Sequence, residues 1–248
     1  MENKLQEDFN TWFNNFIDTT DFTAAYQHND SGYLKGITSP GTDYWDVHLT
    51  GLEIAVDMNQ LDKKAKILDI GTWFGVMPYV LKQYGFNNIS VTECSKHSVS
   101  IPGLRDLWND FDIDPFDLHI LPKKRFELPD TYDLITMFRS NVFWKTQEVL
   151  HQTPGNTLKN DTWQILDQDG GLHTFFTVYN REEWELFIEN IKEFLNPGGV
   201  AVIQPCPYVY DKIESFKEEL DFLAPYCHAG PIYDDGCDYR AFYIVIRK

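Results

Sequence analysis

Short apolar runs alternate with amphipathic helical patterns along the chain from Lys66 onwards. The most regular helical pattern, "REEWELFIENIKEFL" (Arg181–Leu195), repeats its apolar residues at the spacing of one helix face. The runs with strand character are, in chain order, "KILDI", "ISVTE", "DLHIL", "TYDLITMF", "GVAVIQ" and the terminal "RAFYIVIR". Strands that alternate with helices form parallel βαβ units. The pattern therefore predicts an α/β protein with an open sheet, whose ligands bind outside the carboxyl ends of the strands.

Two stretches depart from this alternation. Near the N-terminus, apolar residues recur at helical spacing at Leu5, Phe9, Trp12, Phe13, Phe16 and Ile17, and again at Trp45, Leu49, Leu52 and Val56. We therefore predict a helical N-terminal cap over residues 1–60 and an α/β domain over residues 61–248. Within that domain, residues from about 145 to 178 are rich in Gly, Asn, Asp and Gln. Long loops in compact domains are commonly functional, so this segment is predicted to be a substrate-binding or lid insertion.

The charge balance argues against one class of partner. The 38 acidic residues outnumber the 21 basic ones and give a formal net charge of −17, which repels phosphate backbones and disfavours nucleic acid. No apolar run approaches the roughly 18 residues of a membrane-spanning helix, and the N-terminus lacks the pattern of a signal peptide. The 4 cysteines are scattered, as reduced thiols commonly are. We expect a cytoplasmic protein without a membrane span, of unknown oligomeric state.

The stretch "ILDIGTWFG" (Ile67–Gly75) ends an apolar run with an acid, a glycine and a second glycine four positions later. At a strand-to-helix turn, Gly71 lets the backbone turn where a Cβ would crowd a ligand, and Gly75 lets the helix start close to the sheet. Glu93 follows Gly71 by 22 positions, at the end of the next strand candidate. That spacing suits a carboxylate that accepts hydrogen bonds from ribose hydroxyls. The turn and the second strand together predict a nucleoside site.

The residues of the turn also indicate which nucleosides it favours. A dinucleotide site needs Gly-x-Gly-x-x-Gly, so that a pyrophosphate can approach bare backbone, but Trp73 stands in the crowded region where the middle glycine is needed. Asp69 lies two residues before the first glycine, where a carboxylate disfavours phosphate and can organise a cationic amino-acid group. The predicted ligand is therefore an uncharged or cationic nucleoside.

These motifs, in this order, resemble those of class I S-adenosylmethionine (SAM)-dependent methyltransferases. "ILDIGTWFG" is similar to their first motif, Glu93 to their ribose-binding acid, "YDLITMF" to their fourth strand and "FLNPGGVAVIQ" to the turn before their fifth, and "YIVIR" suits their seventh, antiparallel strand. The resemblance implies a Rossmann-like fold, with a seven-stranded, mostly parallel sheet and helices on both faces, and SAM as the cofactor. The cofactor-binding residues that it implies are Asp69, Gly71, Thr72, Trp73, Gly75, Glu93, Phe126, Glu127, Phe138 and Trp45.

The chain departs from the family pattern in two places. Trp73 replaces the central glycine, which leaves open a methyltransferase-like binding protein whose donor pocket is filled. The family's acid after the third strand, which contacts adenine, is missing, and we expect Phe126 to stack on adenine with Glu127 as a partner for N6. Trp45 would cover the donor site, since the faces of aromatic rings attract a sulfonium. For Phe126 and Trp45, packing in the hydrophobic core is the alternative.

The methyl acceptor is constrained mainly by the residues that come after the fourth strand. The chain has "FRSN" there, which lacks the Pro-Pro motif of DNA amino-methyltransferases and lacks an Asp for a catalytic Mg²⁺, so no metal is expected. Cys206 in "QPCPY" leaves open an RNA methyltransferase that uses a cysteine nucleophile. A buried, unreactive cysteine at a strand end is the simpler interpretation.

The expected reaction is metal-free transfer to a small nucleophile, with an oxygen of a small molecule or sugar favoured and a nitrogen acceptor left open. Arg139, Ser140 and Asn141 follow the fourth strand and are predicted to line the acceptor pocket. A hydroxyl acceptor benefits from a positioned base, and the candidates are His151 and His173, which flank the predicted insertion. Orientation of the acceptor and exclusion of water would supply much of the catalysis.

Overall fold

The computed structural model describes residues 2–19, 43–57, 60–72, 75–93, 115–117, 125–140, 144–145, 163–166, 172–178, 181–205, 225–234 and 238–248. Its helices are α1 (Glu2–Thr19), α2 (Asp43–Leu52), which continues into a π-helical turn (Glu53–Asp57), α3 (Val76–Gln83) and α4 (Arg181–Glu193). Its strands are β1 (Ile67–Ile70), β2 (Ile89–Glu93), β3 (Pro115–Asp117), β4 (Tyr132–Ser140), β5 (Trp144–Lys145), β6 (Trp163–Leu166), β7 (Leu172–Val178), β8 (Leu195–Pro205), β9 (Cys227–Asp234) and β10 (Asp238–Arg247).

The main sheet has the strand order β3-β2-β1-β4-β8-β10-β9. β1 runs parallel to β2 and β4, β2 to β3, and β4 to β8. β10 is antiparallel to both of its neighbours, β8 and β9. The predicted α/β fold with a mostly parallel sheet is therefore confirmed, and the terminal "YIVIR" forms the expected antiparallel strand.

Two apolar clusters cover the two faces of the sheet. Alternate strand residues such as Ile67 and Leu134 pack with helices α1, α2 and α3, whereas their neighbours Leu68 and Ile135 pack with α4. The apolar stripe predicted for α4 is buried in the second cluster. Because strands β1, β4 and β8 have helices on both sides, their sequences lack the polar alternation of a half-exposed sheet.

The N-terminal helices share the first of these clusters with the sheet. Phe9 and Phe13 of α1 are fully buried, and the Phe9 ring meets the edge of Trp45 on α2 at 5.2 Å between centroids. Phe9 also contacts Tyr79 of α3, with 5.2 Å between ring centroids. The helical character expected for the described parts of residues 1–60 is observed.

The described part of the third strand begins two residues before the predicted strand. "DLHIL" was expected to form it, but β3 spans Pro115–Asp117, with Val91 of β2 paired to Pro115. Proline cannot donate to a ladder but is tolerated as the first residue of an edge strand, which is its position here. Residues 118–121 of the predicted strand lie outside the described residues.

The segment expected to be a long loop contains strands. β5, β7 and β6 form a small antiparallel sheet in that order, with Trp163 paired to Phe176. Aromatic and β-branched residues such as Trp163, Ile165, Phe175 and Phe176 have high strand propensity, which the loop-like composition of the surrounding segment obscured. The expectation of a long loop was therefore wrong for these residues.

Helix α2 is tied to the sheet by a buried hydrogen bond. The Tyr243 hydroxyl of β10 donates to the carbonyl of Val47 at 2.8 Å, and both residues are buried. One helical turn further on, Gly51 lies against the ring of Phe138 on β4. A Cβ at Gly51 would fall 2.4 Å from Cζ of that ring, so this position requires glycine unless the ring moves. α2 thus covers the carboxyl end of β4 at backbone contact.

Replacing Tyr243 by Phe should lower the free energy of unfolding by about 1 kcal/mol, because a buried hydrogen bond is lost without a change in ring volume. Urea unfolding with an unchanged slope would measure this difference. The matched control is Tyr226→Phe, since that hydroxyl lies 3.5 Å from Lys192 Nζ at a half-buried position, and its change should stay within about 0.5 kcal/mol. Equal losses of unfolding free energy in the two variants would contradict a stabilising role for the hydrogen bond between Tyr243 and α2.

Candidate functional site

The turn after β1 is built on two glycines in the left-handed conformation. Gly71 has φ 72° and Gly75 has φ 76°. The Gly71 amide donates to the carbonyl of Thr92 at 2.7 Å, which ties the turn to the end of β2. The Gly75 amide donates to the carbonyl of Thr72 at 2.8 Å, and α3 follows directly. Both positions therefore favour glycine strongly, since other residues rarely adopt this φ.

Asp69 is buried near the carboxyl end of β1, with only 2% of its surface exposed. It pairs in register with Thr136 of β4, whose hydroxyl donates to Asp69 Oδ1 at 2.7 Å. Thr136 stands between Leu134 and Phe138 of the first apolar cluster, so the carboxyl group lies on the face covered by α1, α2 and α3. A polar pair thus interrupts an otherwise apolar layer.

Burial raises the pKa of Asp69 to about 7, against the hydrogen bond from Thr136, which lowers it. The nearby Thr72 hydroxyl lowers this pKa further, although it forms no hydrogen bond of ordinary geometry with the carboxyl. No charged side chain among the described residues contributes to the pKa of Asp69. The carboxyl group is therefore close to half-ionised at neutral pH.

The Thr72 hydroxyl is a buried polar group without a partner among the described residues. Only 5% of this residue is exposed. Buried hydroxyls are normally hydrogen-bonded, and one that lies beside a glycine turn is a place where a ligand can supply the missing partner. Thr72 is one of the residues predicted from the sequence to bind the cofactor, and that role stays a prediction.

His48, a weaker candidate base from the sequence, lies at the end of β4. His48 of α2 is 5% exposed, and its ring meets the Phe138 ring at 5.6 Å between centroids and an interplanar angle of 81°. Phe138 also contacts the Tyr243 ring at 6.0 Å. Gln204 of β8 is buried opposite Phe138 in the sheet. The buried polar residues on this face therefore extend from Asp69 and Thr136 towards the end of β8.

Phe126 and Trp45, both predicted to contact the cofactor, have the described contacts of core residues. Phe126 packs with Phe187 and Phe194, and its backbone amide donates to Asn190 Oδ1 at 2.8 Å. It belongs to the cluster with α4, on the face of the sheet opposite Asp69. Trp45 is fully buried against α1. Glu127, beside Phe126, is exposed. Their contacts with a cofactor stay predictions.

For several predicted site residues, the structure describes either nothing or the backbone alone. Trp73, Asn141, His151 and Cys206 are outside the described residues, and for Glu93, Arg139, Ser140 and His173 only the backbone is described. Glu93 ends β2, Arg139 and Ser140 end β4, and His173 lies on β7 of the small sheet. The carboxyl ends of β1, β2 and β4 are adjacent, so the backbones of Asp69, Glu93 and Arg139 lie along one edge.

Sequence reasoning did not identify Thr136 or Gly51. Thr136 is the polar residue inside "DLITMF", and aligning the ends of the first and fourth strands would have placed it opposite Asp69. No pattern in the sequence marks the contact of Gly51 with Phe138, which depends on how α2 crosses the sheet.

Two negative findings concern the described residues alone. They hold no group of three His, Cys, Asp or Glu residues placed to bind a metal ion. None of the helices within them combines the length and apolar character needed to cross a bilayer.

Comparisons with known proteins give structural similarity at low sequence identity. No protein-family model matches the chain, and no curated protein matches it. Several of the similar solved structures are described as methyltransferases, some of them as SAM-dependent. They include the N-methyltransferase NodS of Bradyrhizobium japonicum WM9, with 12% identity, TM-score 0.45, and coverage of 81% of this chain and 93% of that one. An S-adenosylmethionine-dependent methyltransferase of Clostridium acetobutylicum ATCC 824 has 14% identity and TM-score 0.42. The match covers 84% of this chain and 75% of that one.

A third structure, an amino pentose methyltransferase of Micromonospora echinaspora with SAM bound, has 15% identity and TM-score 0.40. The match covers 71% of this chain and 57% of that one. Likenesses at this level bear on neither the activity nor the substrate of the chain. Its α/β fold rests instead on the order and direction of its own strands.

Asp69→Asn should stabilise the free protein above neutral pH. Folding raises the pKa of this carboxyl from its ordinary value near 4 to about 7, so the stability that the acid form contributes is complete below pH 4 and is lost as pH rises to 7. The amide keeps the Thr136 hydrogen bond without an ionisable group. Thermal unfolding should favour the variant by up to about 4 kcal/mol at pH 8 and by little at pH 4. A wild-type chain as stable as the variant at pH 8 would contradict the burial of Asp69.

Proposed function

We propose that the chain is a SAM-dependent methyltransferase. The observation that carries the proposal is a buried carboxyl group, without a cationic partner among the described residues, next to a left-handed glycine turn at the carboxyl end of a parallel sheet. Open α/β sheets bind ligands at that edge. SAM carries an ammonium and a sulfonium, so it brings the positive charge that this site lacks.

Each donor-binding residue has a separate task in this proposal. Asp69 faces the ammonium of the donor's amino-acid part, and the Thr72 hydroxyl hydrogen-bonds to the same part. Gly71 and Gly75 let the backbone approach the ligand without a Cβ. Glu93, one residue past the Thr92 carbonyl that holds the turn, accepts hydrogen bonds from the ribose hydroxyls.

The remaining cofactor contacts are those of the aromatic residues and Glu127. Phe126 stacks on adenine with Glu127 at N6, while Trp45 and Trp73 enclose the donor, and Phe138 separates the donor from the acceptor. In this proposal the main sheet is the seven-stranded sheet of a class I methyltransferase, and α1 and α2 form its N-terminal cap. Residues 145–178 act as a lid or substrate-binding insertion.

The reaction proposed is metal-free methylation of a hydroxyl on a small molecule or a sugar. The acceptor oxygen attacks the methyl carbon in line with the carbon–sulfur bond, whose electron pair passes to sulfur and neutralises the sulfonium. The hydroxyl proton passes to a base, for which His151 and His173 are the candidates. Arg139, Ser140 and Asn141 at the end of β4 orient the acceptor. Acceptor alignment and exclusion of water lower the barrier, since the methyl group itself needs no activation by the protein.

Calorimetric titration with SAM and S-adenosylhomocysteine tests the donor site. We expect micromolar binding to the wild-type chain and at least thirtyfold weaker binding to Glu93→Ala, because losing the ribose hydrogen bonds costs about 2 kcal/mol or more. The matched control is Glu182→Ala, an exposed acid on α4, which should bind as the wild type does. NAD should not compete.

Two outcomes would separate the alternatives. If neither nucleoside binds, the proposal fails and a non-catalytic protein with Trp73 in its donor pocket takes its place. If the donor binds and RNA is the acceptor, Cys206→Ala should abolish methylation of RNA, whereas unchanged activity would exclude a cysteine nucleophile.

A further inference from the structure

The surroundings of Asp69 stabilise its neutral form better than its ionised form. Its described hydrogen bond is the one from the Thr136 hydroxyl, and the layer around it is apolar. An ionised carboxylate in such a layer is strongly disfavoured unless a cation accompanies it.

Other titratable residues on the described elements near this face are His48 on α2, Tyr79 on α3, Tyr243 on β10, Glu93 at the end of β2 and Arg139 at the end of β4. No described hydrogen bond or ion pair joins His48, Tyr79 or Tyr243 to Asp69. The side chains of Glu93 and Arg139 are not described, so the test must separate Asp69 from both.

We propose that Asp69 carries a proton in the ligand-free protein and releases it to solvent when the ammonium group of the donor binds beside it. The exchange is balanced: the acid loses a proton, the ligand keeps its own, and the complex contains a carboxylate–ammonium pair. This inference rests on the proposed donor site. It adds that acidification from neutral pH weakens donor binding.

The size of the effect follows from the equilibrium. With the pKa of Asp69 at about 7 in the free protein and well below that in the complex, affinity should fall about tenfold from pH 8 to pH 6. Binding should release about 0.9 proton at pH 6, about half a proton at pH 7 and about 0.1 at pH 8. The donor and its demethylated product share the ammonium group, so both should behave this way, whereas methylthioadenosine lacks that group.

The experiment is calorimetric titration of the full chain with S-adenosylhomocysteine at pH 6, 7 and 8, in pairs of buffers that differ in ionisation enthalpy. The buffer dependence of the heat counts the protons released. Asp69→Asn should bind more weakly than the wild type at pH 8, should approach it at pH 6, and should release no proton from this site. Dividing the affinity of the wild type by that of Asp69→Asn at each pH removes the contribution of Glu93, Arg139 and the ligand to the pH dependence.

Thr136→Val provides a second test, in which the pH dependence of affinity is retained but its midpoint shifts. The substitution keeps the side-chain volume nearly constant but removes a hydrogen bond that stabilises the carboxylate. The midpoint of the pH dependence of affinity should therefore move to higher pH. A role confined to packing would leave that midpoint unchanged. Methylthioadenosine should bind without proton release to all three chains.

The outcomes separate this inference from the proposed function. If S-adenosylhomocysteine binds but its affinity relative to Asp69→Asn is the same at pH 6 and pH 8, the proton exchange is wrong and the donor site stands. Proton release with methylthioadenosine would also overturn the exchange, because no ammonium is then present. If no nucleoside binds at any pH, the proposed function fails and this inference fails with it.

Discussion

The hydrogen bond from Thr136 to Asp69 joins two central strands at the point where the core meets the candidate site. Strand β1 lies between β2 and β4. On the face covered by α1, α2 and α3, Ile67 of β1 packs in the core, and the next residue of β1 on that face is Asp69. An ionisable group in a close-packed apolar layer is costly, and a single neutral hydrogen bond offsets only part of that cost. The residue is better suited to receiving a cation than to stabilising the free protein, which is why function and stability should respond oppositely to its removal.

The backbone around this group is fixed by contacts that come from three directions. The left-handed turn at Gly71 is tied to the end of β2 through the Thr92 carbonyl. Helix α2 lies directly on Phe138 through Gly51, and the Tyr243 hydroxyl holds the same helix from β10. These contacts join residues far apart in the chain, so the geometry of the site depends on the whole sheet being assembled rather than on the local motif.

The elements with strong local patterns were the ones that the sequence could predict. Helix α4 has a regular apolar stripe, and the glycines of "ILDIGTWFG" indicate a turn that requires positive φ, which Gly71 and Gly75 both have. The start of β3 was missed because its edge position tolerates Pro115, a residue that argues against a strand elsewhere. The small sheet of β5, β6 and β7 was missed because its short strands lie within a segment of polar, loop-like composition. Thr136 and Gly51 act through contacts between elements far apart in the chain, and these contacts become visible only once β4 is aligned with β1 and α2 is placed on the sheet.

The most direct measurement is a crystal structure of the chain with S-adenosylhomocysteine bound. We expect the ligand's ammonium within hydrogen-bond distance of the Asp69 carboxylate, the ribose hydroxyls on Glu93, and the Thr72 hydroxyl hydrogen-bonded to the ligand's amino-acid part. A ligand bound away from the carboxyl ends of β1 and β2, or an Asp69 still bonded to Thr136 alone, would contradict the proposed donor site.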